Sequence, residues 1–129
     1  MRLVISVYLA VVTAFIVSGC SREQKEYVDG QGQAERDLAK GEYKIAIADG
    51  SNMPAFWEYT ELLRKRYSIG WCVYYSPHAN RRAAEAWVRG YNEIASPRIE
   101  REVGAQILKQ TFADAQKLHD ATLPRIIKH

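Results

Sequence analysis

Residues 43–75 read YKIAIADGSNMPAFWEYTELLRKRYSIGWCVYY, and this stretch decides the fold. Its first six residues alternate large apolar side chains with small or charged ones, which is the pattern of a strand with one buried face. Residues 71–75 are aromatic or β-branched apart from one cysteine, and they predict a second strand. Between the two, residues 54–67 repeat apolar side chains at helical spacing, with Pro54 suited to a first helical turn.

A strand, a helix and a strand in this order predict a right-handed βαβ unit with parallel strands. Residues 34–40 predict two helical turns that end at Gly41. A helix is predicted from Asn80 as N-cap to Ser96, where Pro97 kinks or ends it, and residues 98–103 continue helically until Gly104. The last helix is predicted over residues 105–120, and Pro124 ends the helical pattern.

We therefore expect an α/β fold: a small βαβ unit with additional C-terminal helices and a few-stranded sheet. Two parallel strands alone make a poor sheet. A strand from residues 125–128 or 21–33, or edge pairing of two copies, would complete it.

The start of the chain has the parts of a secretory signal. Arg2 supplies one positive charge, and the following apolar run to Gly19 contains no charged side chain. That run is short for a membrane span, which needs about 20 residues. At its end, Val17-Ser18-Gly19-Cys20 resembles the lipobox of bacterial lipoproteins, in which an aliphatic residue and two small residues precede a cysteine.

This resemblance implies that residues 1–19 are a lipoprotein signal peptide and that Cys20 is acylated, because the lipobox cysteine carries the lipid. The mature protein would then be held at a membrane of the bacterial cell envelope. In a Gram-negative organism, Ser21 in place of aspartate implies the outer membrane, facing the periplasm. The alternative is an uncleaved signal anchor with Cys20 as an incidental cysteine.

The remaining chain predicts one domain on a tether. Residues 20–33 are mostly polar with two glycines, so we expect the lipidated cysteine to be followed by a flexible tether. Residues 34–129 then form a single α/β domain, since a mature chain of 110 residues suffices for one modest core. It carries 17 basic and 15 acidic residues. This near-neutral balance gives no reason to expect a nucleic-acid partner.

The turn after the first strand is the strongest candidate site. Ligands of open α/β sheets gather at the carboxyl ends of strands, beside helix N-termini. Asp49, Ser51 and Asn52 lie there in sequence, and His78 follows the second strand, which would place it at the same edge. Asp49, Ser51 and His78 are weak candidates for catalytic groups. The alternative is that Asp49 and Ser51 only satisfy turn and cap hydrogen bonds.

Outside this turn, the residues that suggest binding are aromatic. Trp57 follows Phe56 on the predicted helix, so the two rings are not expected to be buried together. Trp57 is therefore a candidate contact for a ligand or partner, together with Asn52. It would otherwise cover the edge of the core or the tether. No histidine has metal-ligand spacing, so no metal or cofactor is expected, and Cys72 is expected to be a buried structural thiol.

Three functions are consistent with these features. The leading hypothesis is a membrane-tethered envelope lipoprotein that is a non-enzymatic binding or interaction module. Its expected partners are the membrane, through the lipid anchor, and a protein or another envelope component. The second is a small envelope hydrolase or transferase that uses the turn at residues 49–52. The third is a structural lipoprotein that forms homodimers through its sheet edge.

Overall fold

The computed structural model describes residues 21–48, 53–74 and 80–126. Along these ranges the elements are α1 (Ser21–Ala39), β1 (Lys44–Ala48), α2 (Phe56–Tyr67), β2 (Gly70–Tyr74), α3 (Arg81–Val103) and α4 (Ile107–Ile126). The fold is dominated by helices and contains a small parallel sheet, so the α/β prediction is confirmed only in this coarse form. None of the helices in the described ranges combines the length and the apolar character needed to cross a membrane.

The βαβ unit is present as predicted. β1 and β2 pair in parallel, with Lys44 opposite Gly70 and Ala48 opposite Tyr74, and α2 connects them. The sheet has two strands among the described residues. Neither predicted source of a third strand supplies one there, because residues 21–33 and 125–126 are helical, while 127–128 lie outside the described ranges.

Residues 21–33, predicted as a flexible tether, are instead the first part of α1. Their polar side chains hide a helical stripe, because Tyr27, Gly30, Ala34 and Asp37 recur every three or four residues and Gly30, Ala34 and Asp37 are buried. The prediction was wrong because a buried stripe made of glycine, alanine and aspartate has little hydropathy. Packing against the rest of the fold stabilises the helix despite its two glycines.

Two glycines allow α1 and α3 to touch along their backbones. A Cβ atom at Gly30 would lie 2.1 Å from the carbonyl oxygen of Trp87, and one at Gly90 would lie 2.1 Å from that of Tyr27. No side chain fits at these distances. Glycine is required at both positions because the helix backbones occupy the space of a Cβ.

The sheet separates two packed clusters. On one face, Ile45 packs in a cluster with buried side chains from α2, α3 and α4, of which Leu63, Ile99 and Ile107 are examples. On the other face, Ala46 packs with Ala34 of α1 and with Tyr91 and Ala95 of α3, and the half-buried Cys72 joins them. Alternation of side chains along a strand explains why neighbouring residues of β1 serve different clusters.

Helix boundaries follow local chemistry and packing. Asn80 caps α3 as predicted, its Oδ1 accepting from the Ala83 N–H at 2.8 Å. Pro97 does not end the helix: α3 continues to Val103 and Gly104 is its C-cap, which confirms the predicted helical continuation over residues 98–103. Ala95 and Ile99, on either side of Pro97, are buried, so packing stabilises the helix there. α4 likewise runs past Pro124, where the helical pattern was expected to stop. α2 follows Ala55, which adopts a left-handed conformation with φ 62° and gives no side-chain cap.

Candidate functional site

The outer edge of β2 carries main-chain groups that no residue in the ranges 21–48, 53–74 and 80–126 pairs with. In a strand, the N–H and C=O of one residue point to the same edge, and successive residues point to opposite edges. The Gly70 N–H donates to the Tyr43 carbonyl at 2.9 Å, so Gly70 points towards β1, and Cys72 does the same two residues on. Trp71 and Val73 therefore direct their N–H and C=O groups away from β1. This edge of β2 is open to hydrogen bonding.

The outer edge of β1, by contrast, is closed by a side chain of α3. The Ala46 N–H donates to Asn92 Oδ1 at 2.8 Å, and Asn92 Nδ2 donates to the Ala46 carbonyl at 2.9 Å. The amide of Asn92 thus makes the two hydrogen bonds that a neighbouring strand would make. Of the two outer edges of the sheet, β2 therefore offers the one that can accept a further strand.

Aromatic side chains stand beside the open edge. The ring centroids of Phe56 and Trp57 are 4.8 Å apart, those of Phe56 and Trp71 are 5.4 Å apart, and those of the two tryptophans are 6.3 Å apart. Trp57 is 70% exposed, and Trp71 and Val73 are each 40% exposed. We call Phe56, Trp57, Trp71 and Val73, with the outward main-chain groups of Trp71 and Val73, the aromatic edge.

The aromatic edge combines two modes of recognition. Its main-chain groups can pair with an extended segment, as in β-strand addition, where hydrogen bonds give affinity and adjacent side-chain contacts give specificity. Its tryptophans offer large apolar surfaces of the kind that dominate binding energies at interfaces. The chemistry of this surface is therefore binding of an extended polypeptide with apolar side chains.

On the opposite face of the sheet, a polar network is buried between α1 and α3. The Tyr91 hydroxyl donates to Asp37 Oδ2 at 2.7 Å, and Gln33 Nε2 donates to Asp37 Oδ1 at 2.9 Å. Lys44 Nζ lies 3.8 Å from the same carboxylate. Burial opposes ionisation of Asp37, but the hydrogen bonds from Tyr91 and Gln33 and the charges of Lys44 and Lys40 outweigh it and lower its pKa. Asp37 is thereby held as a buried, hydrogen-bonded carboxylate.

Cys72 adjoins this network and is half-buried. Burial raises the pKa of its thiol, the charge of Asp37 raises it further, and a hydrogen bond with Tyr91 and the charge of Lys44 oppose the change. A thiol with a raised pKa is a poor nucleophile at neutral pH because little thiolate is present. The raised pKa is typical of a structural thiol, as expected for Cys72, but the side chain is half-buried where burial was expected.

The predicted site residues divide into one that is described and several that are not. Trp57 lies at the start of α2 with an exposed ring, which is the property on which its selection rested, and its contact with a partner stays a prediction. Four residues of the strand-end site and the lipidation site lie outside the described residues: Asp49, Ser51, Asn52, His78 and Cys20. Their proximity is not described, so the hydrolase or transferase hypothesis also stays a prediction.

Two other features of the described residues bear on ligands. Within the described ranges, no three histidine, cysteine, aspartate or glutamate side chains lie close enough together to hold a metal ion. A groove of about 420 Å³ lies between α1 and α3, with Leu38 and Pro97 on its walls. Its charged residues are two glutamates and two arginines, Glu35, Glu93, Arg98 and Arg101. This balanced set favours neither an anionic nor a cationic ligand.

The open edge of β2 was not predicted from the sequence, although the strand and the exposed tryptophan beside it were. The strand was predicted, and Trp57 was selected, but nothing in the sequence says which edge of a two-stranded sheet a distant helix will close. Asn92 decides that question from 46 residues away from Ala46. Asn92 and Glu93 both stand between the apolar residues Tyr91 and Ile94 of α3, so the local pattern does not single out Asn92 for such a role.

The sequence matches no family model, and no curated protein or solved structure is similar to this chain.

Proposed function

We propose that the protein is a membrane-tethered lipoprotein of the bacterial cell envelope, that it is a non-enzymatic interaction module, and that it binds its partner at the aromatic edge. The observation that carries the binding part is the open edge of β2 beside three clustered aromatic rings. The lipobox residues Val17-Ser18-Gly19-Cys20 carry the anchoring part. Ser21 supports the outer membrane, facing the periplasm, if the organism is Gram-negative.

The start of α1 bears on how such an anchor would act. α1 begins at Ser21, the residue directly after Cys20, and its stripe from Tyr27 to Asp37 packs against α3. A lipid on Cys20 would therefore be joined to the packed domain by one helix, without a flexible spacer. This arrangement would hold the domain close to the bilayer surface and restrict its orientation there.

The size of the exposed aromatic surface supports binding. A tryptophan side chain can bury up to about 250 Å², and Trp57 is 70% exposed. Covering that surface would remove about 175 Å² from water, which corresponds to about 4 kcal/mol before the entropic cost of association is subtracted. A single residue of this size is typical of the anchors that dominate interface energies.

The anchor is tested by mass spectrometry of the full chain expressed in a bacterium. We expect the wild-type protein to lack residues 1–19, to carry acyl groups on Cys20 and to sediment with membranes. The Cys20→Ala variant is expected to keep the leader and lack the acyl mass. A wild-type chain with an unmodified Cys20 would refute the anchoring part and leave the binding surface to be tested separately.

The binding surface is tested by cross-linking the full-length protein in its own envelope. We expect a cross-linked species in the wild type that falls strongly in Trp57→Ser and in Val73→Pro, because the first removes the exposed ring and the second removes an outward N–H. Leu118→Ser is a matched control, since Leu118 is an exposed apolar side chain on α4. Equal cross-linking in all four proteins would show that binding takes place elsewhere.

A further inference from the structure

Among the described residues, the sheet of one chain lacks a neighbour at one edge only. Asn92 occupies the outer edge of β1, while Trp71 and Val73 leave the outer edge of β2 unpaired. Two parallel strands are fewer than sheets usually contain. A partner that adds one strand at β2 would extend the sheet, and the same addition cannot take place at β1.

We propose that the occupant of the aromatic edge is a second copy of this chain, which pairs its own β2 antiparallel to the first around a twofold axis at Cys72. This inference rests on the proposed function, which makes the aromatic edge the binding surface, and it identifies the partner that binds there. In this register Trp71 of each copy faces Val73 of the other. Cys72 of the two copies then lie directly opposite one another.

The hydrogen-bonding pattern of β2 fits this register. An antiparallel pair alternates between residues that exchange two hydrogen bonds and residues that exchange none. Trp71 and Val73 point outward, so the two Trp71–Val73 pairs make four hydrogen bonds, and the central Cys72 pair makes none. An aromatic residue opposite a β-branched one is also among the favourable cross-strand pairs. The strand is thus complementary to itself.

Two copies close the assembly. In the part of the chain that the structure describes, each copy has one open strand edge, and pairing uses both, which gives a four-stranded sheet with Asn92 at each end. A twofold interface of this kind uses the same patch on both partners and leaves no further edge for growth. A strand from a different protein could also pair with the edge of β2. It would not be expected to pair in the register that places Trp71 opposite Val73 and Cys72 opposite Cys72.

The area of the aromatic edge suggests an assembly that depends on membrane confinement. The exposed parts of Trp57 and Trp71 amount to about 275 Å² per copy, against about 800 Å² per partner in a standard interface. Val73, Phe56 and the main chain add to it without doubling it. Anchoring in a bilayer raises the effective concentration of the two copies, which favours pairing of modest intrinsic affinity.

The α1 helices of the two copies fall on the same side of the dimer. Rotation about a twofold axis perpendicular to the sheet does not exchange its two faces, so the same face of both copies lies on the same side of the dimer. α1 lies on the face that carries Ala46 and Cys72, because Ala34 packs with Ala46 there. Both α1 helices would therefore lie on the same side of the dimer, which is compatible with attachment to one bilayer through the residue before Ser21.

The test uses Cys72 as its own reporter in full-length protein held in native membranes. Opposed residues of a non-bonded antiparallel pair have Cα atoms about 4.5 Å apart, which a disulfide can span. Diamide takes two electrons and two protons from the two thiols, which form one disulfide as the reagent is reduced to its hydrazine. The reaction is run above pH 9 because the thiolate is the reactive form and burial raises the pKa of Cys72 above its usual 9.0.

We expect a diamide-dependent dimer that is absent in Cys72→Ser. In Val73→Pro, its yield at limiting surface density should fall about tenfold, because two of the four hydrogen bonds are lost. Val73→Thr keeps the N–H and a β-branched side chain, and it should cross-link like the wild type. Proline replaces a residue whose N–H faces outward, which strands tolerate at an edge, and circular dichroism of the purified variant checks that it is folded.

Each other result decides against the proposal. A wild-type chain that gives no Cys72 disulfide would overturn it, and so would a dimer that Val73→Pro leaves unchanged or a cross-link at the edge to a different protein. The acyl mass on Cys20 is measured in the same samples. An acylated chain without the disulfide refutes the dimer alone, whereas an unacylated chain refutes the anchor whatever the state of Cys72.

Discussion

The two helix pairs that enclose the sheet are held together by different kinds of contact. α2 and α4 meet through side chains, with Leu63 in the core and an edge-to-face contact between Tyr59 and Phe112 at 5.5 Å between ring centroids. α1 and α3 meet through backbone at Gly30 and Gly90, with Asp37 and Tyr91 hydrogen-bonded beside the contact. The stability of the α2–α4 pair therefore depends on the apolar side chains that fill the space between the two helices. The stability of the α1–α3 pair depends on the absence of side chains where the two backbones touch.

Polar groups also serve the two pairs differently. Between α2 and α4, the ion pair of Arg66 with Asp114, at 2.7 Å, and the polar contact of His119 Nδ1 with Glu58 Oε1, at 3.1 Å, lie at the partly exposed margin. Such contacts contribute little because solvent screens them. Between α1 and α3, the Asp37 carboxylate is buried and hydrogen-bonded. Its partners matter more, since a buried carboxylate without donors is costly.

The largest effect is expected from shortening a side chain between α2 and α4. Leu63 is almost fully buried, so Leu63→Ala should lower the free energy of unfolding by about 2–5 kcal/mol through lost transfer energy and a cavity. Urea denaturation followed by circular dichroism measures the change. Leu118→Ala on the exposed side of α4 is the control, and a loss there equal to that of Leu63→Ala would contradict the assignment of the core.

Adding a methyl group at a glycine of α1 should change the free energy of unfolding in opposite directions at two positions. The change should be destabilising at Gly30, as for Leu63→Ala, and stabilising at Gly32. Gly30→Ala would force the Cβ against the Trp87 backbone and should cost about 1–3 kcal/mol, the range for overpacking. Gly32→Ala meets only the flexible Arg36 side chain at 3.4 Å, so it should stabilise α1 by up to about 1 kcal/mol. The same denaturation assay compares them. If residues 21–33 were a tether, neither change would affect the midpoint.

The contrast between the pairs also explains what the sequence could predict. The unit from β1 to β2 was predicted with nearly the right bounds because Ile45, Tyr59 and Leu63 are large, apolar and buried, so that periodicity alone reveals them. The last turns of α1 were predicted over residues 34–40, but residues 21–33 were not predicted as helix, because Gly30, Ala34 and Asp37 look polar or neutral when only hydropathy is read. Their close contact with α3 depends on residues about 60 positions away, which no local pattern contains.

In the candidate site, too, the feature that depends on local sequence was predicted and the feature that depends on a tertiary contact was not. Exposure of Trp57 followed from its position next to Phe56, a local argument that the structure agrees with. The open edge of β2 followed from Asn92 closing the other edge, which is a tertiary contact. Sequence reasoning instead favoured the strand-end turn at residues 49–52, since that rule about parallel sheets can be applied without knowing which edges are free.

Removing one hydroxyl should weaken the α1–α3 pair by a smaller amount than removing a core side chain. Tyr91→Phe keeps the ring stacked on Trp87, at 5.3 Å between centroids, but takes a donor from the buried Asp37. We expect a loss of about 1.5–3 kcal/mol at pH 7, the range for a hydrogen bond to a charged group. Tyr59→Phe in the other pair is the control, because the Tyr59 hydroxyl makes no hydrogen bond with the described residues and burial alone raises its pKa. Equal losses in the two variants would refute a special role for Asp37.

The smallest effect is expected from pH, and it should be confined to the acid range. The pKa of Asp37 is lower in the folded protein than its ordinary value of 3.8, because donors and lysines outweigh the effect of burial. Its contribution to stability is therefore complete above the ordinary pKa and is lost as the pH falls through the folded pKa. Asp37→Asn should flatten this part of the acid unfolding curve. Asp114→Asn separates the two helix pairs, since the lowered pKa of Asp114 arises chiefly from Arg66 at an exposed margin, where screening makes the linked stability small. If Asp114→Asn flattened the curve more than Asp37→Asn, the acid-sensitive contact would lie between α2 and α4, and the buried carboxylate would not be the feature that distinguishes the two pairs.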